Sequence, residues 1–275
     1  MSLFSRLKRH LQLLSDSPDF NPMVLAAIKR ATQALAPSPR VVVSVGSGLS
    51  AESGVPTFRG PEGIFYNAQI ARLTHIDTFL SEDREEMMRW YQDRRDQLFA
   101  IEPNPGHFAL TALAQTGDYT ICTQNVDHLL EAAADEIGFR PEIHHLHGSL
   151  LLVRCHHCGH SFEDLQLDLG ALPECERCGG PLRPGVVWFG ENLPEEALDS
   201  SLQAARNADV CLILGTSGLV YPAASIPEVA KKFGATLIEV NPNHSALSDI
   251  SDIVIRGKTG EVLPELLRRV EAASS

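Results

Sequence analysis

Residues Gly46 to Gly60, GSGLSAESGVPTFRG, follow the apolar run Val41-Val42-Val43-Ser44-Val45. A short Val-rich run is the pattern of a buried parallel strand. Glycines at 46 and 48 let the chain turn tightly and bring its backbone against a pyrophosphate. The pair reads as a strand feeding a nucleotide-binding loop. Gly46-x-Gly48-x-x-Ala51 is weak alone, since such triplets arise by chance and no acidic residue caps a second strand about twenty residues on. The continuation is more informative: Ser50, Ser53, Thr57 and Arg59, with Pro56 and Phe58, suit a loop folded over a ligand.

A second constellation is made of cysteines. Four of the 6 fall in one segment, as Cys155-x2-Cys158 and Cys175-x2-Cys178, each followed by a glycine. This is the spacing of a zinc ribbon, and four thiolates close a tetrahedral shell with no position left for water. The zinc is expected to be structural. His156, His157 and His160 are rival ligands, and a redox dithiol is the alternative chemistry. Cys122 and Cys211 lie in apolar runs and read as core thiols.

The elements that must position these groups alternate. Asn21-Pro22 opens a helical pattern with Met23, Val24, Ala27, Ile28, Ala31 and Leu35 on one face, and Ala36-Pro37 ends it. Further strands are expected at Tyr119–Cys122, Val210–Leu214, Thr236–Val240 and Ile253–Ile255, with helical stretches between several of them. Alternation of this kind implies a doubly wound parallel sheet. Polar clusters follow the strands: Thr123-Gln124-Asn125, Gly215-Thr216-Ser217, Asn241-Pro242-Asn243 and Gly257-Lys258-Thr259-Gly260. Ligands bind beyond the carboxyl ends of such strands, so these clusters should converge on one crevice. A helical segment from about Pro61 to Ala100 and the cysteine module from about Leu150 to Arg183 interrupt the alternation, and together they should form a small second lobe.

Composition narrows the partners. A chain of 275 residues is long enough for one large domain with an inserted module. Its net charge of −12, from 23 Lys and Arg against 35 Asp and Glu, argues against nucleic acid, whose phosphates must be neutralised by basic side chains. No apolar run approaches the length of a membrane span. Met1–Leu14 is basic and amphipathic but lacks a signal peptide's apolar core, so it reads as an N-terminal helix within a 1–19 extension. A monomeric cytoplasmic protein is expected.

The loop at Gly46–Gly60 resembles the NAD-binding loop of the sirtuins, the NAD-dependent protein lysine deacylases, and the resemblance continues to about residue 265. TQNVDHL at Thr123–Leu129 is similar to the family's TQNIDxL, and HLHGSL at His145–Leu150 to the segment that holds its catalytic histidine. RPGVVWFGE at Arg183–Glu191 and GTSGLVYPAA at Gly215–Ala224 look like the stretches that grip peptide and cofactor. The resemblance implies a Rossmann-like NAD-binding domain (20–60, 101–149 and 184–275), with 61–100 as its helical module and 150–183 as its zinc ribbon. It implies acylated lysine in a protein or peptide as substrate, and nicotinamide and O-acyl-ADP-ribose as products.

By that resemblance His147 is the catalytic base, which takes a proton from a ribose hydroxyl after the acyl oxygen has attacked. Asn125 and Asp127 hold the ribose and the nicotinamide carboxamide, while Gln124 contacts ribose hydroxyls. Cleaving the nicotinamide–ribose bond generates oxocarbenium character, which calls for positioned polar groups more than for a strong nucleophile. Gly46, Ser47, Gly48, Ser50, Thr57, Phe58 and Arg59 complete the cofactor contacts with Gly215, Thr216, Ser217, Asn241, Pro242, Lys258 and Thr259. Substrate contacts are Val186, Trp188, Phe189, Gly190, Glu191, Gly218, Leu219 and Val220. Without the resemblance, His144, His145 and His147 are an undistinguished cluster.

Between Ser81 and Phe99, helical spacing puts Met87, Tyr91, Arg94 and Leu98 on one face, with Glu82 and Asp83 in the first turn and Trp90 elsewhere on the surface. Arg94 interrupts an apolar stripe, and snorkelling or a local ion pair explains that in structural terms. Tyr91-x-x-Arg94 also looks like the pair with which class III sirtuins read succinyl-, malonyl- or glutaryl-lysine. Ser47, His128 and Gly185 depart from the common family pattern. A NAD hydrolase, a mono-ADP-ribosyltransferase and a noncatalytic NAD sensor are the rival functions.

Overall fold

The computed structural model describes residues 19–58, 63 and 67–274, so the expected N-terminal helix and Arg59 lie outside the described residues. Asn21 starts the first described helix, Pro22–Leu35, by accepting the Val24 amide at 3.0 Å on its side chain, with proline at the first helical position. The chain then enters β1 (Arg40–Val45).

With strands numbered in chain order, β1 is joined by β2 (Asp118–Thr123), β3 (Glu142–His145), β7 (Val210–Leu214), β8 (Thr236–Val240) and β9 (Ile253–Ile255) in one sheet of order β3-β2-β1-β7-β8-β9. Every pairing in it is parallel. The period-2 geometry of a strand divides β1 between two cores. Val41, Val43 and Val45 pack with helices Pro22–Leu35, Pro105–Leu113 and Thr259–Ser274, while Val42 faces Ala205, Ile226 and Ala230 of helices Glu195–Asn207 and Ser225–Lys232. Both faces are covered, which is why the strands read as continuous apolar runs. Cys122 and Cys211 are fully buried in the second core, and burial pushes the Cys122 thiol up to about 12. Among the described residues no helix is long and apolar enough to cross a membrane.

A second sheet is antiparallel, in the order β5 (Ser161–Glu163), β4 (Gly148–Cys155), β6 (Leu182–Val186). It packs on the Arg84–Phe99 helix through Met87, Met88, Tyr91 and Leu98 against Val153, Leu169 and Leu182. Asp83 precedes this helix without a side-chain capping bond, and Glu85 and Glu86 lie in its first turn, one turn later than the pattern around Glu82 suggested. Its buried arginine is Arg95, whose guanidinium donates to the carbonyls of Leu167 at 3.1 Å and Asp164 at 2.6 Å. Gln92 on the same helix accepts the Leu169 amide at 3.0 Å. The helical segment and the cysteine module are thereby joined by apolar packing and by polar contacts.

The four cysteine sulfurs lie within 4.8 Å of one another, with Cys155 and Cys178 at 3.5 Å and Cys158 and Cys175 at 3.9 Å. Tetrahedral zinc at about 2.3 Å from each sulfur separates the sulfurs by roughly 3.8 Å, so this donor set fits zinc. Gly159 and Gly179 turn the two knuckles with φ of +71° and +69°, a left-handed conformation that favours glycine. The three histidines weighed as ligands are engaged elsewhere: His156 packs on Phe79, His157 covers Gly180 and His160 stacks on Phe162. Elemental analysis should find one zinc per chain. Cys175→Ser should lose the metal and lower the melting temperature by about 5 °C or more, because metal binding is coupled to folding. Metal-free protein from chelator-free buffers, or a variant that melts like the parent, would count against a structural zinc.

Candidate active site

The strand order reverses between β1 and β7, and the loops leaving these strands meet there. Gly46 donates its amide to Leu214 O and Gly48 to Gly215 O, both at 2.9 Å. A Cβ at Gly46 would sit 2.7 Å from the Thr216 backbone, and one at Gly48 2.6 Å from Gly215 Cα, so only glycine permits this approach. Beyond the carboxyl ends of the strands opens a cleft of about 760 Å³. Gly46, Ser47, Gly48, Thr57 and Phe58 line it from the first loop, Gly215, Thr216 and Ser217 from the β7 loop, and Asn241 and Pro242 after β8. Lys258 and Thr259 close it, the latter donating its hydroxyl to Gly48 O at 3.2 Å.

Gln124 and Asn125 enter the cleft from the end of β2, where Gln124 Nε2 donates to Thr216 Oγ1 at 3.2 Å. His147 faces them from the turn between β3 and β4. Its Nδ1 lies 2.9 Å from the Gln124 carbonyl oxygen. A carbonyl only accepts, so Nδ1 carries the proton and Nε2 keeps its lone pair. Burial pulls the His147 pKa down, against the opposing bond to Gln124, and favours the neutral base. The other two histidines of the cluster are paired to carboxylates, His144 with Glu142 at 3.2 Å and His145 with Glu131 at 2.6 Å.

Ser50 and Asp127 stand behind the cleft wall, at 0% and 8% exposure. Asn125 Nδ2 donates to Ser50 Oγ at 3.1 Å, and His107 Nε2 lies 3.3 Å from the same oxygen. The Asn104 amide donates to His107 Nδ1 at 3.2 Å, and burial pushes the His107 pKa down to about 3. The ring is therefore neutral with its proton on Nε2, directed at Ser50. With two donors on its oxygen, Ser50 has its own hydrogen for the Asp127 carboxylate, which is raised by burial and lowered by this bond. Sequence reasoning missed His107. The available signal was its place three residues after Asn104 in a capping box, where a histidine reads as helix start.

The small lobe supplies the opposite wall. Tyr91 and Arg94 reach it, and so does Trp90, which the helical pattern had left elsewhere on the surface. Tyr91 is buried with its phenol pKa raised by that burial, and its ring packs 5.9 Å from Trp188. Arg94 Cζ sits 5.1 Å from the Trp90 ring. Burial pulls the Arg94 pKa down, while Tyr91 and Asp127 oppose the shift. Among the described residues it has no carboxylate within ion-pair distance.

Val186 at the end of β6 and Trp188, Phe189, Gly190 and Glu191 after it line the cleft, and Leu219 and Val220 line it from the β7 side. Gly218 is set back against Leu247 with φ of +69°. Arg183 clamps the first group: it forks onto Glu191 at 2.6 and 2.8 Å, donates to Val186 O at 2.7 Å and lies 3.4 Å from the Trp188 ring. Gly185, a departure from the resembled pattern, is explained by packing, since a Cβ there would meet Leu152 Cβ at 2.5 Å.

The model of the Sir2 family matches residues 46–222. The NAD-dependent protein deacylase 1 of Archaeoglobus fulgidus is 44% identical over 243 residues, which is 88% of this chain and 97% of that protein. Among solved structures, a Sir2 homologue in complex with NAD is 42% identical with a TM-score of 0.82, covering 90% of this chain and 95% of that one. A mutant Sir2 homologue bound to 2'-O-acetyl ADP ribose is 41% identical with a TM-score of 0.83, covering 90% and 98%. The chain belongs to the Sir2 family.

Proposed function

We propose that the protein removes acyl groups from protein lysine in a reaction that consumes NAD and yields nicotinamide and O-acyl-ADP-ribose. The observation that carries this reading is the placement of His147, whose Nδ1 lies 2.9 Å from the Gln124 carbonyl oxygen and whose side chain lines the cleft together with the glycine loop and Gln124. The similarity to a deacylase and to structures holding NAD and an acetylated ADP-ribose supports it.

In this reading the β1 loop and the Thr259 helix hold the dinucleotide. Asn125, fixed by Ser50, and Asp127 orient the ribose and the carboxamide as nicotinamide leaves and the acyl oxygen attacks. His147 Nε2 then takes the proton of a ribose hydroxyl. The zinc takes no part in these steps. Residues 20–60, 101–149 and 184–275 form the NAD-binding domain, 61–100 and 150–183 the small lobe, and 1–19 an extension. The protein acts as a cytoplasmic monomer. Its excess of acidic residues supports the absence of a nucleic-acid partner.

His147→Ala should lower deacylation by about two to four orders of magnitude while NAD affinity is largely kept. Nicotinamide release should require an acylated peptide, which a hydrolase or a transferase to other acceptors would not require. The acid limb of kcat/KM has a definite direction. A lowered His147 pKa means protonation only below the ordinary imidazole value of about 6.5, so activity should persist through that pH and fall at lower pH. A limb at or above that value would remove His147 from the role of base.

Arg94, with Tyr91, is read as the group that selects acyl chains ending in a carboxylate. A guanidinium fork pairs with a carboxylate bidentately, a contact worth about 2–3 kcal/mol. Arg94→Met should therefore reduce the preference for succinyl over acetyl peptide by roughly thirty- to a hundredfold in kcat/KM. Parallel losses on both peptides would mean that Arg94 supports the fold and reads no carboxylate.

A further inference from the structure

Helical spacing puts Trp90 and Arg94 four residues apart, on neighbouring turns of one helix face, and both side chains line the cleft. The Arg94 guanidinium carbon lies over the indole, 5.1 Å from the ring centroid. No carboxylate is within ion-pair reach among the described residues, so the indole face is the group that holds this cation. The indole is itself fixed. Tyr91 meets it edge-on at 4.8 Å and 85°, Tyr91 packs on Trp188, and Trp188 lies on the Arg183 guanidinium.

We propose that Trp90 is a positioning residue for acyl selectivity, which holds the Arg94 guanidinium by its flat face and leaves the N–H edge directed at the carboxylate of an acidic acyl group. This rests on the reading of Arg94 as the carboxylate-recognising residue. The two contacts use different parts of one ion: an aromatic ring takes the π face of a guanidinium, whereas a carboxylate takes two in-plane donors. Trp90 therefore does not compete with substrate. It removes the freedom that a long arginine side chain otherwise loses on binding, and it counters the pull of Asp127, the carboxylate whose attraction reaches Arg94 from the catalytic loop.

The test compares the parent with Trp90→Leu, Trp90→Phe and Arg94→Met on matched succinyl and acetyl peptides, with kcat and KM separated and peptide affinity measured by calorimetry. Trp90→Leu should lower the succinyl-to-acetyl ratio of kcat/KM by about three- to thirtyfold, mainly through a higher KM for the succinyl peptide. Trp90→Phe keeps an aromatic face and should recover most of that ratio. A ratio at the parental value in Trp90→Leu, while Arg94→Met abolishes selectivity, overturns the role of Trp90 alone. The same holds if phenylalanine rescues no better than leucine. Selectivity surviving in Arg94→Met overturns the carboxylate reading itself, and the Trp90 proposal with it.

Discussion

Gly48 and Gly215 approach so closely that neither position has room for a side chain, and the geometry of the cleft follows from that contact. It ties the loop after β1 to the end of β7 and its loop at the point where the strand order reverses, by amide-to-carbonyl bonds of 2.9 Å. Each bond contributes only about 1 kcal/mol net, so their importance is geometric. They hold Gly46, Ser47 and Gly48 against Thr216, which in turn receives Gln124 from the β2 loop and returns its carbonyl to Asn241 from the β8 loop. Four loops from distant parts of the chain are thereby held at one edge of the sheet.

The Asn125–Asp127 side is held by a different device, a buried polar chain in which each hydrogen has one place to go. The Asn104 amide fixes which His107 nitrogen bears a proton, His107 and Asn125 fill the Ser50 acceptors, and the Ser50 hydrogen is left for Asp127. Such a chain is costly when partly satisfied and rigid when complete. Burial raises the pKa of Asp127, which is almost fully enclosed, and the bonds from Ser50 and from the Leu129 amide oppose that rise. The site thus combines a close backbone contact between two loops with a connected chain of buried polar side chains.

The sheet was legible where burial on both faces makes the residues speak in runs, as at Val41–Val45 and Val210–Leu214. β3 was not, because Glu-Ile-His-His offers a single aliphatic residue and sits at the sheet edge, where periodicity is weakest. Cysteine spacing specified the zinc ribbon because metal geometry leaves little else to decide. The candidate site residues were picked out by motifs, and the structure adds what no motif carries: the tautomer of His147 and the chain through His107. Trp90 was misplaced for a definable reason. The helix was read as having one buried face, yet it packs on the zinc module through Arg95 and borders the cleft through Trp90 and Arg94, so more than one face is enclosed.

The cysteine module reaches the cleft through two neighbouring strands. β4 starts at Gly148, directly after His147, and ends at Cys155, one of the metal-binding thiols. Beside it β6 pairs Leu182 with Cys155 at the metal end and Val186 with Gly148 at the other, the register shifting between Gly148 and Val153, and the next residue, Val187, donates its amide to the His147 carbonyl at 2.8 Å. Two strands thus run side by side from the cysteine cluster to His147. A slip of one residue would turn every side chain of β6 to the opposite face, taking Arg183 off Glu191 and Trp188. That slip is opposed at one end by four sulfurs around one ion. At the other it is opposed by the Gly148–Gly185 contact, where a Cβ on Gly148 would lie 2.0 Å from Gly185 O. The cysteine cluster therefore bears on the cleft without lining it: the register that sets Leu182 against Cys155 also places Arg183, whose clamp holds Val186, Trp188 and Glu191 at the cleft wall.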